Sequence, residues 1–389
     1  MDAAFIEAQL DDLKKRNLYR RLRRVEATQG PVLVVDGREV LNLCSNNYLG
    51  LADHPVLREA AKEAIDRYGF GSGASRLISG NTTLHEELEQ KLAELKKSEA
   101  ALVFNSGFQA NVGIIPALVG KGDVVLSDEL NHASIIDGCR LSRAEVAVYA
   151  HRDVGALKDA LERAPAKCRK LIVTETVFSM DGDEAPLAEI VELAERYNAL
   201  VMVDEAHATG CFGPGGAGVV SKLGLGERVF LQMGTLGKAL GGFGAYVAGG
   251  LKLREFLINR CRSFIFTTSL PPPVLAAAIA AIDLVRDEPQ RRPALWRNAR
   301  ALKEGLRRIG FSPGESQSQI LPLVVGDADK CMALSERLLA KGVFAQGIRP
   351  PTVAPGTSRL RVTVMATHTH EHLQRALDAF EEVKSEVGL

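Results

Sequence analysis

From residue 100 to residue 249 the chain repeats one pattern: a short apolar run, a turn of small or polar residues, then in most cases a helical stretch. The runs are AALVF (100–104), DVVLSD (123–128), EVAVY (145–149), KLIVTE (170–175), ALVMVD (199–204), RVFLQM (228–233) and GAYVAG (244–249). Strands that are apolar throughout need cover on both faces, so the pattern predicts an α/β fold built on a large, mostly parallel sheet with helices on either side. Amphipathic segments such as VGALKDALERA (154–164) and APLAEIVELAERYN (185–198) supply that cover.

The flanks read differently. Residues 5–22 carry Phe5, Ile6, Leu10 and Leu13 at helical spacing, and residues 32–43 read as a hairpin around a Gly-containing turn. A helix is expected over 55–68, then a glycine-rich loop over 69–80. Thr83 with Glu86 fits a capping box, opening a helix whose apolar stripe is Leu84, Leu88, Leu92 and Leu95. Three prolines at 271–273 mark a break before long helical patterns, and a smaller βαβ-like region follows from about 320. The expected division is an N-terminal helix and hairpin segment (1–45), a large α/β domain (46–285) and a small C-terminal α/β domain (286–389).

Composition excludes several classes. Lys plus Arg and Asp plus Glu both number 48, so there is no positive bias of the kind that coats nucleic acid or an anionic membrane. No apolar run approaches the roughly 18 residues of a membrane span, and the first sixteen residues, MDAAFIEAQLDDLKKR, lack the apolar core of a secretory signal. The six cysteines are scattered without a C-x-x-C, as expected of reduced thiols in a cytoplasmic enzyme.

Several strings imitate chemistry. Gly69-x-Gly71-x-x-Ala74 matches a dinucleotide fingerprint but follows a helix instead of a strand. Asp204-Glu205-Ala206-His207 spells the DEAH box of an NTPase, yet the nearest P-loop candidate has Gln232 where its first glycine belongs and Ala239 after Lys238. His368, His370 and His372 alternate, a spacing that turns them to different sides of a helix, and HEELE (85–89) lacks a zinc protease's second histidine; no metal site is expected.

Ligands of open α/β sheets bind at the carboxyl ends of the strands. AALVF leads into Asn105-Ser106-Gly107-Phe108, DVVLSD leads to His132, KLIVTE to Ser179, ALVMVD ends in Asp204 with His207 close behind, and RVFLQM leads to Thr235 and Lys238. Pyridoxal phosphate suits this set. Its aldehyde needs a lysine amine (Lys238), its pyridine nitrogen a carboxylate (Asp204), and its ring hydroxyl and face are suited by His207 and His132. Its phosphate can take N–H and hydroxyl groups from Gly107, Phe108 and Thr235.

The segments SNNYLGL (45–51), FGSGASRLISG (70–80), FNSGFQAN (104–111), ELNHASIIDG (129–138), TETVFSMDGDEAPL (174–187), VDEAHATG (203–210) and GTLGKALGG (234–242) resemble the α-oxoamine synthases. These are fold-type I pyridoxal-phosphate transferases, acyltransferases that join an amino acid to an acyl thioester with loss of carbon dioxide. The resemblance implies that Lys238 carries the cofactor as a Schiff base and moves protons, Asp204 faces the ring nitrogen, His207 and Ser179 bond at the ring hydroxyl, and His132 stacks on the ring. It implies that Arg361, helped by Asn47, holds the amino-acid carboxylate, that Arg20 and Thr352 line the acyl site, and that Thr267 or Thr268 reaches the phosphate of the other subunit of a homodimer. Residues 345–368, AQGIRPPTVAPGTSRLRVTVMATH, are most similar to the branch that condenses L-alanine with a pimeloyl thioester, carried by coenzyme A or by an acyl carrier protein, in biotin synthesis. The alternative within the family condenses glycine with acetyl-CoA. Outside it stand a DEAH-type NTPase, disfavoured for want of a P-loop, and a cofactor-less scaffold of the same fold.

Overall fold

The computed structural model describes residues 3–26 and 28–387. In chain order its strands are β1 (Val32–Val35), β2 (Arg38–Asn42), β3 (Ala100–Phe104), β4 (Val124–Asp128), β5 (Glu145–Tyr149), β6 (Lys170–Glu175), β7 (Leu200–Asp204), β8 (Leu231–Thr235), β9 (Ala245–Gly249), β10 (Ile320–Gly326), β11 (Val343–Phe344), β12 (Gly347–Ile348) and β13 (Ser358–Thr363). The chain divides into two compact units, Asn47–Ser179 with Asp183–Pro293, and Met1–Asn46 with Met180–Gly182 and Ala294–Leu389.

The larger unit holds a seven-stranded sheet in the order β3-β9-β8-β7-β6-β4-β5. Strands β8, β7, β6, β4 and β5 pair in parallel, while β9 runs against both its neighbours, β3 and β8. The mostly parallel sheet expected from the apolar runs is thus present, with every residue of β3, β4 and β6 buried. Leu102, Phe104, Leu171, Val173 and Met202 pack in one cluster with Ile114 and Leu118 of the helix Gly107–Leu118 and with Leu257 of the helix Leu251–Arg260. The edge strand β5 departs from the rule: Val146 and Val148 are exposed, β5 having a strand partner, β4, on one side only among the described residues.

The smaller unit has a three-stranded sheet β1-β2-β11, in which β11 runs parallel to β2, and a second sheet β10-β13-β12 with antiparallel pairing. The helix Ala328–Ala340 packs against both sheets and against the helix His370–Val387. His368 is buried here. Its Nδ1 accepts the Met365 N–H at 3.0 Å and its Nε2 lies 3.1 Å from the Asn42 carbonyl, and burial pushes its pKa down to about 4. His372 Nδ1 accepts the Thr369 N–H at 3.1 Å, so these two imidazoles serve the backbone where the last helix opens.

Four local expectations need correction. The first helix is Ala4–Lys15 and stops short of residue 22, because Asn17 takes a left-handed conformation (φ 53°) that closes the turn. The capping box lies one residue earlier than Thr83 and Glu86: Thr82 is the N-cap, and His85 accepts its N–H at 3.2 Å. The run RVFLQM is a strand only from Leu231, and β8 extends instead through Gly234 and Thr235. Finally, the prolines start a helix, Pro272–Asp287, where a missing N–H costs nothing.

Candidate active site

In the larger unit the ends of β6, β7 and β8 and the N-termini of two helices gather the expected side chains. Asp204, the last residue of β7, is buried. Its Oδ1 accepts the Ala206 N–H at 2.9 Å and its Oδ2 accepts from Asn111 Nδ2 at 3.0 Å. The same Asn111 amide donates to Ser134 Oγ at 2.9 Å, and Ser134 Oγ lies 2.8 Å from His132 Nδ1. His132 caps the helix Ala133–Ser142, its Nδ1 accepting the Ser134 N–H at 3.2 Å, so the ring proton belongs on Nε2. Desolvation lowers the His132 pKa; the Asp204 charge raises it and the Lys238 charge lowers it, and the outcome is a neutral imidazole near pH 7. The His132 residue is exposed, which leaves ring surface open for a flat ligand.

Lys238 stands in the turn that follows β8. Its Nζ is 2.8 Å from His207 Nε2, and His207 Nδ1 is 2.7 Å from Tyr48 Oη. Tyr48 and His207 are both buried, so the amine sits at the end of a fixed Tyr–His pair. Thr235 shapes the turn: its hydroxyl donates to the Gly244 carbonyl at 3.0 Å and accepts the Gly237 N–H at 3.1 Å. Gly241, at φ 66°, is required, since a Cβ there would come within 2.5 Å of the Ala52 backbone nitrogen.

Gly107 and Phe108 form the first turn of the helix Gly107–Leu118, capped by Ser106 Oγ, which accepts the Gln109 N–H at 3.2 Å. Helix geometry leaves the first N–H groups without intrahelical acceptors, and the helix dipole favours an anion there. Thr267 and Thr268 lie beside Asn105, whose Nδ2 reaches Thr267 Oγ1 at 3.3 Å and the Thr268 carbonyl at 2.7 Å. Ser179 is buried and follows β6 by four residues. Asn47 is buried, with its Oδ1 accepting the N–H groups of Leu51 at 2.9 Å and Ala52 at 3.1 Å, so that oxygen closes a turn.

Arg20, Thr352 and Arg361 belong to the smaller unit. Arg361 is buried and donates to Asn46 Oδ1 at 3.1 Å. Arg20 donates to the Pro350 carbonyl at 3.3 Å and, with Arg21, Arg23, Arg349 and Thr352, lines a cavity of about 720 Å³.

The DEAH string is used structurally in part. Glu205 is fully buried, forms an ion pair with Lys96, and accepts the Val220 N–H at 3.0 Å. Sequence reasoning missed Asn111, Tyr48 and Arg349 as site residues. Asn111 had a signal, being a polar residue in the otherwise apolar run ANVGIIPAL four positions after Gly107. Tyr48 had none, because its partner His207 is 159 positions away.

A helix N-terminus for an anion, a buried carboxylate, an open imidazole face and an amine held by histidine define a site for a flat, phosphorylated aldehyde, and the donor set fits pyridoxal phosphate. The family described as aminotransferase class I and II matches residues 38–380, and the chain belongs to it. Among curated relatives, the 8-amino-7-oxononanoate synthase of Geobacter sulfurreducens is 56% identical over 387 residues, covering 99% of both chains. Among solved structures, a serine palmitoyltransferase (SPT) with a PLP internal aldimine superposes with a TM-score of 0.95 at 36% identity, covering 100% of both chains. An 8-amino-7-oxononanoate synthase from Francisella tularensis has a TM-score of 0.76 at 29% identity, covering 89% of this chain and 98% of its own. The resemblance read from the motifs agrees with these relatives.

Proposed function

We propose that this chain is a pyridoxal-phosphate-dependent acyltransferase that condenses L-alanine with a pimeloyl thioester to give 8-amino-7-oxononanoate, carbon dioxide and free thiol, a step of biotin biosynthesis. The observation that carries it is the Lys238–His207–Tyr48 chain, 2.8 and 2.7 Å long, set at the same strand edge as the Asp204 carboxylate. Full-length identity of 56% to a named 8-amino-7-oxononanoate synthase supports the substrate pair over that of the structural neighbours, because a shared fold does not specify substrate.

The bound ring supplies electron withdrawal that stabilises negative charge at the amino acid's α-carbon. Lys238 would hold the aldehyde, and its Nζ, as the free amine beside bound alanine, would take the α-proton and later return one. His207, backed by Tyr48, fixes where that Nζ sits. Asp204 would keep a proton on the ring nitrogen, with Asn111 fixing the carboxylate's second oxygen. His132 would cover the ring face, Ser179 would bond near the ring hydroxyl, and Gly107, Phe108 and Thr235 would hold the phosphate. Arg361 takes the alanine carboxylate through its two-toothed guanidinium, with Asn47, and Arg20 and Thr352 bind the acyl part. The new bond joins the alanine α-carbon to the thioester carbonyl carbon as the thiol leaves; the bond from the α-carbon to its carboxylate then breaks, carbon dioxide departs, and the α-carbon takes a proton.

The same reading makes the protein a cytoplasmic homodimer in which Thr267 or Thr268 serves the phosphate of the partner's site, with either coenzyme A or an acyl carrier protein bearing the pimeloyl group. Among the described residues, no helix is long and apolar enough to cross a membrane.

Thiol release with alanine plus pimeloyl-CoA tests the reading, run beside glycine plus acetyl-CoA and serine plus palmitoyl-CoA. The alanine pair should be faster by at least tenfold. Preference for either other pair overturns the assignment while leaving the cofactor untouched.

A further inference from the structure

Glu175 takes no part in the scheme above, yet it lies beneath it. It is the last residue of β6 and stands in register with Asp204, the last residue of the adjacent parallel strand β7. It is 3% exposed, and its Oε1 has no hydrogen-bond partner among the described residues. Its own N–H donates to Asn131 Oδ1 at 3.1 Å, and the Asn131 side chain in turn donates to Ser127 Oγ at 2.9 Å and to the Val173 carbonyl at 2.8 Å. The backbone N–H groups of His132 and Ser179 pull on the Glu175 carboxyl, favouring its charged form. Those two residues begin the loops assigned above to the ring face and the ring hydroxyl, and they come from different strands.

We propose that Glu175 is a positioning residue for the cofactor pocket: its buried carboxyl gathers the N–H groups of His132 and Ser179 and so holds the two loops in the spacing that a pyridine ring requires. The inference rests on the reading that pyridoxal phosphate fills this pocket. Two carboxylates at register positions on neighbouring strands do not both ionise cheaply. Burial, then the Asp204 charge, pushes the Glu175 pKa up to about 8, against the pull of Lys238 and the two N–H donors. The charged groups facing it are Asp204 from β7, Lys238 from the turn after β8, and the His132 end of the helix Ala133–Ser142. At neutral pH Glu175 is therefore the neutral acid, and it adds no second charge beside Asp204. Glutamine, neutral and equally long, can do the same work; leucine cannot, because it offers no acceptor and leaves buried N–H groups unpaired.

The test is a titration of apoprotein with pyridoxal phosphate, followed by the visible absorbance of the lysine-linked cofactor, for the wild type, Glu175→Gln and Glu175→Leu. Glu175→Gln should bind within about threefold of the wild type, and Glu175→Leu should bind at least about tenfold more weakly, with substrate turnover falling in step. The wild-type absorbance should also show an inflection near pH 8 that Glu175→Gln lacks. Equal binding by all three proteins, or a glutamine variant as weak as the leucine variant, overturns the inference. If Glu175→Leu does not fold, the glutamine variant decides alone: retention of the wild-type inflection overturns the proposal, and its loss with near-normal affinity supports it. A wild-type protein that binds no pyridoxal phosphate overturns the cofactor reading and this inference together, whereas normal wild-type binding with failed variant contrasts overturns this inference alone.

Discussion

The strand edge of the larger unit and the arginine-lined cavity of the smaller one are built on opposite plans. At the strand edge each polar group is held by another: Asp204 by Asn111 and the Ala206 N–H, His132 by Ser134, Lys238 by His207, and His207 by Tyr48. Asp204 ends β7, His132 caps a helix, Asn111 and Ser134 lie inside helices, and Lys238 stands in the turn after β8. In the cavity, Arg20, Arg21 and Thr352 are exposed and stand outside regular helices and strands. On the proposed reading, charge is fixed where a proton moves and left on long side chains where the acyl chain enters, so that preorganisation serves the rate and adaptable arginines serve substrate affinity.

That contrast sets the order of expected effects. Asp204→Ala removes a held charge from the rigid edge, so turnover should fall by about a hundredfold or more, with weak cofactor retention in gel filtration. A near-normal rate would mean that the two regions do not differ as described. Arg20→Ala acts in the cavity, and should raise KM for the pimeloyl thioester by roughly tenfold while leaving kcat within about threefold. A loss in kcat without a change in KM would place Arg20 in the chemistry instead.

The smallest effect concerns stability. His151 Nδ1 lies 2.9 Å from Asp128 Oδ1 and its Nε2 3.0 Å from Asp183 Oδ2, so both ring nitrogens carry protons. Burial opposes the charge, but the bonds to the two carboxylates prevail and lift the pKa from 6.5 to about 9. A folded-state pKa above the unfolded value means that the stabilisation is complete below about pH 6.5 and is lost as pH rises through about 9. His151→Gln should lower Tm at pH 6 by a few degrees and shrink the difference from the wild type at pH 10. An unchanged gap at both pH values would show that the imidazolium does not hold these two carboxylates together.

Much of this was legible from residues alone, for a physical reason. Fully buried strands must be apolar along their length, and the fold delivers polar residues to one end of each, so Asp204, His132 and Lys238 stood out against their own strands. The less visible part depends on encounters between distant segments. Tyr48 becomes part of the site only because it meets His207, and Asn111 only because its one amide reaches both Asp204 and Ser134. Glu175 looks like any strand-end acid until its register with Asp204 is known. Where the reading of local signals slipped, as at Thr83 and Glu86, it slipped by one position: a second threonine, Thr82, is the N-cap, and a histidine, His85, closes the box in place of a glutamate.

The rigid edge exists to place one amine. Borohydride reduction of the protein loaded with pyridoxal phosphate, followed by proteolysis and mass spectrometry, measures which lysine that is. The label should fall on Lys238 in the peptide containing GTLGKALGG. Label on a different lysine, or none at all after loading, contradicts the account.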